Sequence, residues 1–253
     1  MRNNNYTIIK NGQASRNTYF GHEQTFETYL NYGFTAGKHK VDLMAGYSWE
    51  QKKNNDGFGL TVEGYYNDNL KWYNMSYAQT ILGVQNSVAS GYVENVKNIS
   101  FYGRANYSFD GRYMLQATIR RDGSSVFGKN NRWGTFPSIS GAWNITEEAF
   151  MKNQNIFSNL KLRASYGVSG NAMGFDVYSS YVTYGATGTF VYDGKTYRTY
   201  GATKNANPDL KWETTSMLNV GLDFGFMKNR INGTIEVYNK KTKDLIWGYP
   251  VPT

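Results

Sequence analysis

The sequence contains no cysteine, and its 253 residues include only two histidines and four prolines. Without cysteine the chain forms no disulfide, no thiolate metal site and no cysteine nucleophile. Its longest apolar runs fall far short of the roughly 18 residues that a membrane helix needs. A membrane β-barrel is not excluded, because barrel strands alternate between apolar and polar residues and score poorly on hydropathy.

The patterns of catalytic and metal sites are also missing. His22 and His39 have no partner at metal-ligand spacing, and no nucleophile elbow or nucleotide-binding fingerprint occurs. The adjacent carboxylates Glu147 and Glu148 are expected to begin a short helical turn capped by Thr146, since adjacent residues rarely flank one scissile bond. We therefore expect no enzyme activity, no cofactor and no bound metal.

Aromatic residues are abundant, at 17% of the chain with 22 tyrosines, and there are 27 glycines. This composition favours strands and turns over helices. The net charge is +8, but the basic residues are scattered, and the one tight group is Lys240, Lys241 and Lys243. We therefore expect no nucleic-acid partner.

Period-two alternation is the clearest signal along the chain. Two alternating segments, 25–34 and 41–50, are separated by a short turn and predict a hairpin of strands about ten residues long, the length of a tilted membrane strand. Residues 1–20 are expected to add part of a ninth strand. The eight strands predicted in this way are 25–34, 41–50, 99–109, 113–120, 138–145, 160–169, 218–224 and 231–240.

Short and long connections alternate between these strands. The short ones are 35–40, 110–112 and 226–230, and 146–158 is treated as a capped turn; the longer ones are 51–98, 122–135 and 170–211. Because chain direction reverses at each strand, alternate connections share one end of the sheet. Outer-membrane barrels keep their periplasmic turns short, so the long loops are expected at the extracellular end. The predicted fold is an all-β antiparallel meander, open at both edges.

Basic residues on the polar faces of the strands are the first candidate for a functional site. In a wide barrel that face lines the lumen, where they would contact an anionic plug surface or a substrate. The alternative is that they pair with acids such as Asp122 and Asp223. The candidate lumen-facing residues are Arg104, Arg120, Lys161 and Arg163.

Aromatic residues in the long loops are the second candidate. Such rings stack on sugars or pack against protein partners, and the alternative is that the loops pack on themselves. The candidate contacts with substrate or partner are Tyr65, Tyr66, Trp72 and Tyr73, and further aromatics are Tyr77, Tyr178, Tyr181 and Tyr184.

Several long motifs follow one another in the second half of the chain. The motifs are Arg-Arg-Asp-Gly-Ser-Ser at 120–125 with Phe-Gly at 127–128, Arg-Trp-Gly at 132–134 with Phe-Pro-Ser at 136–138, Asn-Leu-Lys-Leu-Arg-Ala-Ser-Tyr-Gly at 159–167, Asn-Pro-Asp-Leu-Lys-Trp-Glu-Thr-Thr at 207–215, and Tyr-Asn-Lys-Lys-Thr at 238–242. In order and spacing they resemble the motifs of the SusC/RagA family of TonB-dependent outer-membrane transporters. The resemblance covers about residues 98–245, and residues 16–50 fit the preceding barrel strands more loosely.

This resemblance implies that residues 1–253 are part of a receptor barrel of about 22 strands. It implies import of glycans or peptides through the outer membrane, a SusD-like surface lipoprotein as partner, and TonB acting through an N-terminal region outside these residues. We expect no plug domain, signal peptide or terminal barrel strand within the chain.

Two other interpretations remain open. A soluble all-β carbohydrate-binding or adhesion module would also be rich in tyrosine, tryptophan and glycine, but it has no reason to keep strictly alternating loop lengths. A small autonomous eight-stranded barrel is the third, since eight strands suffice to close.

Overall fold

In the computed structural model, the residues described are 13–56, 58–64, 74–78, 80–81, 88–90 and 94–247. Nearly all regular structure within these ranges is β, and they contain three short 3₁₀ turns at Met75–Tyr77, Ile145–Glu147 and Ala149–Met151. The strands are β1 (Gln13–Asn17), β2 (Phe20–Ala36), β3 (His39–Asp56), β4 (Phe58–Glu63), β5 (Thr80–Ile81), β6 (Val88–Ser90), β7 (Glu94–Phe109), β8 (Tyr113–Ser124), β9 (Trp133–Asn144), β10 (Phe157–Asn171), β11 (Thr183–Tyr192), β12 (Lys195–Lys204), β13 (Glu213–Phe226) and β14 (Ile231–Lys243).

Eight of these strands form one large sheet in the order β14-β13-β10-β9-β8-β7-β3-β2. They are the eight strands predicted from the alternation, in an antiparallel meander, so the predicted fold class is confirmed. Within the described part of the chain, β2 and β14 are the edges of the sheet. β2 and β3 are longer than the ten residues expected, at 17 and 18 residues. Backbone pairing continues a hairpin where side-chain alternation has ended, because the ladder needs only N–H and C=O groups.

The register places apolar residues opposite apolar residues across neighbouring strands. Leu162 on β10 lies opposite Trp143 on β9 and Leu222 on β13, and Leu222 lies opposite Ile235 on β14. Directly opposed residues point to the same side of a sheet, so one face is apolar and the other polar.

The connections divide between the two ends of this sheet as predicted. Residues 37–38, 110–112, 145–156 and 227–230 lie at the short-turn end. Residues 125–132 and 172–212 lie at the long-loop end, where the chain also leaves β3 and enters β7. The assignment of the long-loop end to the cell exterior stays a prediction.

The chain divides into two compact units, Met1–Gln24 with Gln51–Asn95, and Thr25–Glu50 with Val96–Thr253. The first unit holds a small sheet in which β4 pairs with β1, β5 and β6. Its core is formed by Ala14 and Val62, with Leu60 and Met75 packed against them. The expected ninth strand therefore exists at β1, but it pairs with β4 and does not extend the large sheet. Residues 1–12 lie outside the described residues.

The connection 172–212, predicted as a loop, contains a hairpin. β11 and β12 pair around Asp193 and Gly194, whose φ angles are 50° and 68°. Positive φ at both central residues is the type I′ arrangement, which favours Asp-Gly. The Asp-Gly pair, flanked by residues with high strand propensity, is the signal that predicts this hairpin.

Candidate functional site

The apolar face of the large sheet is its more exposed face. Phe101 is 51% exposed, Leu115 48% and Leu218 50%, whereas the polar-face neighbours Arg163 and Ser165 are half-buried. A water-soluble sheet buries its apolar side, because removal of apolar surface from water stabilises the fold. An apolar face that stays exposed across neighbouring strands therefore marks a surface that contacts lipid or a partner.

Aromatic rings form two rows on this apolar face. The row near the long-loop end runs from Phe26 to Tyr47, Phe101 and Trp133, with consecutive ring centroids 6.4, 5.3 and 6.2 Å apart. The row near the short-turn end runs from His39 to Phe109, Tyr113 and Trp143, at 4.9, 6.4 and 6.5 Å. Residues between the rows, such as Leu115 and Ile139, are aliphatic and exposed.

The four candidate basic residues all lie on the polar face, as the alternation predicted. Arg163 is paired with two acids: its Nε lies 2.8 Å from Asp223 and its terminal nitrogen 2.7 Å from Glu236. Lys161 lies opposite Asp223 in the register. For Arg163 the structure thus shows pairing with acids, which is the alternative to contact with a plug surface or a substrate.

Arg120 is paired as well, whereas Arg104 is not. Arg120 donates through Nε to both carboxylate oxygens of Asp122, at 2.7 and 2.9 Å, and through a terminal nitrogen to Ser100 at 2.9 Å. Arg104 is exposed, and within the described residues it donates only to the sulfur of Met44 at 3.7 Å. Among the described residues, Arg104 therefore has no acid within ion-pair distance.

A tyrosine bridges three strands on the same polar face. The Tyr102 hydroxyl on β7 donates to Glu27 on β2 at 2.7 Å, across β3. The Tyr102 side chain crosses β3 at Gly46, where the missing side chain leaves room for the tyrosine ring. A Cβ at Gly46 would lie 2.3 Å from that ring. The guanidinium of Arg120 sits 5.8 Å from the centre of that ring. Arg120 therefore contacts one acid, Asp122, directly, and it is linked to a second acid, Glu27, through Tyr102.

A buried aromatic cluster, which the alternation pattern does not predict, joins the loops at the long-loop end. Phe127 is fully buried, with its ring 4.6 Å from Trp212 and 5.8 Å from Phe175. Trp212 also meets Phe136 at 5.3 Å and donates from its indole nitrogen to the Arg132 carbonyl at 3.1 Å. The motif at 207–215 therefore packs directly on two others, through Phe127 of 127–128 and through Arg132 and Phe136 of 132–138.

Glycine and amide groups complete this contact. A Cβ at Gly128 would lie 1.7 Å from the carbonyl oxygen of Pro208, so only glycine fits there. The Gly128 N–H donates to the Leu210 carbonyl at 3.3 Å, and the Asn131 side chain donates to the Asp209 carbonyl at 3.2 Å.

The short-turn end is held by polar contacts centred on Glu148. One of its carboxylate oxygens accepts from the Tyr113 hydroxyl at 2.6 Å and the Trp143 indole at 3.0 Å, and the other lies 3.4 Å from Arg112. These donors stabilise the ionised form, so the pKa of the Glu148 carboxyl is lowered, with the bond from Tyr113 as the largest cause. The prediction that Thr146 caps a helical turn is wrong. Asn144 occupies the N-cap, and Thr146 donates to its side chain at 2.7 Å.

A second carboxylate at this end joins two turns. Asp110 accepts from Lys38 at 2.9 Å and lies 2.8 Å from Arg112. The hydrogen bond from Lys38 is the main reason why the pKa of the Asp110 carboxyl is lowered.

The predicted loop aromatics divide into two groups. Tyr65, Tyr66, Trp72 and Tyr73 lie outside the described residues, so their role as contacts stays a prediction. Tyr178 and Tyr181 pack edge to face at 6.4 Å, and the Tyr181 hydroxyl accepts from Arg132 at 3.3 Å. Tyr178 and Tyr181 therefore pack against other loop residues, which is the alternative to contact with a substrate or partner. Tyr184, by contrast, is 76% exposed.

Within the described ranges, no group of three or more histidine, aspartate or glutamate side chains is arranged to hold a metal ion. No helix in the described part of the chain is long and apolar enough to cross a membrane.

Comparison with known proteins gives consistent results. A family model described as "TonB dependent receptor-like, beta-barrel" matches residues 1–252. The chain is 36% identical over 237 residues to the TonB-dependent receptor SusC of Bacteroides thetaiotaomicron, covering 93% of this chain and 22% of that receptor. It is 34% identical over 226 residues to the TonB-dependent receptor P3 of Formosa agariphila, covering 89% and 22%.

Solved structures extend the similarity to the fold. A structure of the RagAB peptide transporter matches with a TM-score of 0.80 at 28% identity, covering 95% of this chain and 26% of that chain. The chain thus spans about a fifth of the length of the curated relatives that it matches.

Proposed function

Because the chain belongs to the TonB-dependent receptor-like β-barrel family, whose members are transport proteins of the Gram-negative outer membrane and not enzymes, we propose that it forms part of the wall of a nutrient importer of the SusC/RagA type. The importer takes up glycans or peptides, with energy supplied through TonB. The observation that carries the proposal is the exposed apolar face between two aromatic rows.

The spacing of these rows fits a membrane. Phe101 and Phe109 on β7 are eight residues apart, which is about 26 Å along a strand at about 3.3 Å per residue. With the tilt of about 40° usual in such barrels, the rows lie roughly 20 Å apart along the membrane normal. Outer-membrane barrels have an apolar band about 25 Å tall between two aromatic girdles. The aliphatic residues between the rows then face lipid tails.

The polar face then lines the lumen, with Arg104, Arg120, Lys161 and Arg163 on it. The edges β2 and β14 pair with further strands of the same receptor, because a plugged importer needs a wall of about 22 strands. The chain accordingly supplies about a third of that wall, as a partial barrel domain.

The long-loop end faces the cell exterior and meets a SusD-like surface lipoprotein. The RagAB peptide importer is a structural relative that has been described in "open-open" and "closed-closed" states. A partner that opens and closes over the barrel of this receptor would contact its long loops, including the segment 51–98 that holds Tyr65, Tyr66, Trp72 and Tyr73.

Adjacent residues that face opposite sides provide the main test. Because the 253 residues contain no cysteine, Ala164→Cys, Ser165→Cys, Val220→Cys and Asn219→Cys each introduce a single thiol within this region for a nitroxide label. In the full-length receptor in outer membranes, labels at 164 and 220 should be accessible to oxygen dissolved in lipid. Labels at 165 and 219 should be accessible to a water-soluble nickel chelate. Equal accessibility at neighbouring positions, or recovery of the receptor in aqueous buffer without detergent, contradicts the membrane assignment and favours a soluble module.

The lipoprotein partner is tested separately. Replacing residues 51–98 by a short Gly-Ser turn should leave the receptor inserted but reduce uptake or co-purification of the lipoprotein. Normal uptake and co-purification without this segment would show that its aromatics serve only to pack the loop.

A further inference from the structure

The apolar face of the large sheet carries charge at one end only. In the described strands of the unit formed by Thr25–Glu50 and Val96–Thr253, this face holds no aspartate or glutamate. It holds four cations, and all of them lie near the long-loop end; at the short-turn end, the strand residues on this face include no lysine or arginine. We call this set the outward cations: Lys97, Arg121, Lys241 and Lys243.

The outward cations differ from the cations of the polar face in having no acid beside them. On the polar face, Arg120 is paired with Asp122, and Arg163 with Asp223. Within the described part of the chain, the side chains of the outward cations form no hydrogen bond and no ion pair. Basic residues at a membrane surface attract anionic lipid headgroups. The counter-charge for the outward cations is therefore expected from the lipid.

Two outward cations lie on neighbouring strands beside the aromatic row. Arg121 on β8 lies opposite Phe101 and Thr135, and its guanidinium is 5.5 Å from the centre of the Trp133 ring. Lys97 lies four residues before Phe101 on β7, which places it on the same face about 13 Å nearer the long loops, at about 3.3 Å per residue. Both side chains are exposed. Guanidinium and ammonium groups both bind phosphate, the guanidinium often through two hydrogen bonds.

An apolar groove of about 520 Å³ begins next to Arg121 on this face. Small residues form its floor, where Ala105 lies opposite Ala117, and Gly103 lies opposite Ile119. Ile119 is two residues from Arg121, or about 7 Å along the strand. The groove therefore runs from the level of the guanidinium toward the middle of the apolar band.

The rest of the lining keeps the groove uncharged on this side. Leu30 and Leu43 belong to its wall and are exposed. Arg104 is the one charged residue of the lining, and it alternates with Gly103 and Ala105 along β7, so its side chain points to the polar face. A lipid acyl chain fits this groove, and the chain of any lipid would do so. Selection among lipids then depends on the outward cations.

We infer that Arg121, Lys97 and the groove bind a phosphorylated glycolipid of the lipid A type, with a phosphate at the two cations and one acyl chain in the groove. The inference rests on the proposed function, which places this face in the membrane and the long-loop end at the cell exterior. In a Gram-negative outer membrane, lipids of this type form the outer leaflet. The confinement of lysine and arginine on this face to the long-loop end matches that asymmetry between leaflets.

The test uses the full-length receptor in detergent, stripped of lipid, with binding measured by native mass spectrometry. The four probes are diphosphoryl lipid A, the same lipid without its phosphates, phosphatidylglycerol and inorganic phosphate. We expect diphosphoryl lipid A to bind more tightly than the other three. Arg121→Gln and Lys97→Gln should each weaken that binding about tenfold, the effect of one lost hydrogen bond to a charged group.

Lys240→Gln is the matched control for charge. It removes one positive charge near the same end of the sheet, but from the polar face, where Lys240 lies opposite Met217. The affinity for lipid A should not change. Ala117→Leu fills the groove and should cause loss of bound lipid A. Its control is Ala164→Leu, which adds the same side chain to the apolar face outside the groove, opposite Val220, and should keep the lipid.

Equal binding of the dephosphorylated lipid or of phosphatidylglycerol overturns the inference, as does binding of inorganic phosphate in place of the lipid. Affinity unaffected by both Arg121→Gln and Lys97→Gln also overturns it. A receptor dimer that separates in Arg121→Gln would assign this face to a second copy of the receptor instead. In each of these cases the proposed function still stands if label accessibility alternates between neighbouring positions. Loss of that alternation would overturn the proposed function itself.

Discussion

The two ends of the large sheet are held together by different chemistry. At the long-loop end, Phe127 is fully buried against Trp212, and the loops on either side interlock through Gly128 and Pro208. At the short-turn end, contacts are polar and partly solvated, with Glu148 and Asp110 accepting from neighbouring strands and turns.

The difference follows from the length of the connections. The turns 37–38, 110–112 and 227–230 are too short to build a core, and the longer connection 145–156 is joined to the strands through Glu148. Side-chain hydrogen bonds and ion pairs therefore hold this end. Connections as long as 172–212 gain stability by burying apolar side chains, because this burial offsets the entropy lost when they become ordered. The long-loop end should therefore respond most to changes of volume, and the short-turn end to changes of charge.

The largest effect is expected from Phe127→Ala. Truncation of a fully buried phenylalanine costs about 3–5 kcal/mol. Hydrogen exchange of segments 125–132 and 205–212 should therefore become faster by orders of magnitude. Phe150→Ala is the control, since Phe150 is 68% exposed at the short-turn end. Equal protection in both variants would contradict the view that the aromatic cluster holds the long loops.

Gly128→Ala comes next. Its methyl group would overlap the Pro208 carbonyl at 1.7 Å, and overpacking of this kind costs about 1–3 kcal/mol. We expect limited proteolysis to cut within 205–212 sooner. At Gly141 the nearest atom to an added Cβ is 3.8 Å away, so Gly141→Ala should leave the cleavage rate unchanged. If both variants resist the protease equally, the two loops do not depend on close approach.

Glu148→Gln tests the short-turn end through pH. Because the folded protein lowers the pKa of this carboxyl, its stabilising effect is complete above the ordinary carboxyl pKa of about 4.3 and is lost as pH falls through the folded value. The variant should be less stable to urea at pH 7, and its stability should fall less between pH 5 and pH 3.

Glu147→Gln is the matched control for this change, since Glu147 is exposed and makes no hydrogen bond or ion pair within the described residues. It should keep the full acid dependence. An unaltered acid slope in Glu148→Gln would mean that another carboxylate, such as Asp110, determines it.

The smallest expected effect has the opposite sign. Met227, Lys228 and Asn229 have φ angles of 52°, 58° and 64°, a run of left-handed residues without glycine. Lys228→Gly should raise the free energy of unfolding by about 1 kcal/mol, because glycine adopts this conformation without steric cost. Lys228→Ala removes the same charge and should not stabilise the protein. If Lys228→Ala also raised the free energy of unfolding, the gain would come from removal of the charge and not from relief of backbone strain.

The sequence predicted the large sheet because period two was uninterrupted across eight segments. A slip of one residue would invert every side chain, so alternation at Leu162, Arg163 and Ala164 determined the faces as well as the strands. The prediction was wrong in detail where two local patterns compete. The glutamates after Thr146 predicted a capped helical turn, which is present at Ile145–Glu147, but its N-cap is Asn144. Glu148 is an acceptor for residues of two strands.

The candidate site was predictable only in part. Placement of Arg120 and Arg163 on the polar face followed from alternation, whereas their partners depended on register across strands. The Asp193-Gly194 turn had a sufficient local signal for a hairpin.

The sequence by itself determined which residues form strands, which side of each strand is apolar and which connections share an end, because these depend on periodicity and on reversal of chain direction. Tertiary structure decided what no local pattern contains. It brought Phe127 to Trp212 across 85 positions of sequence, and it joined Tyr102 to Glu27 over the glycine at position 46. The physical reason is that register, which determines the residues that lie opposite each other, is a property of paired strands and not of any one strand.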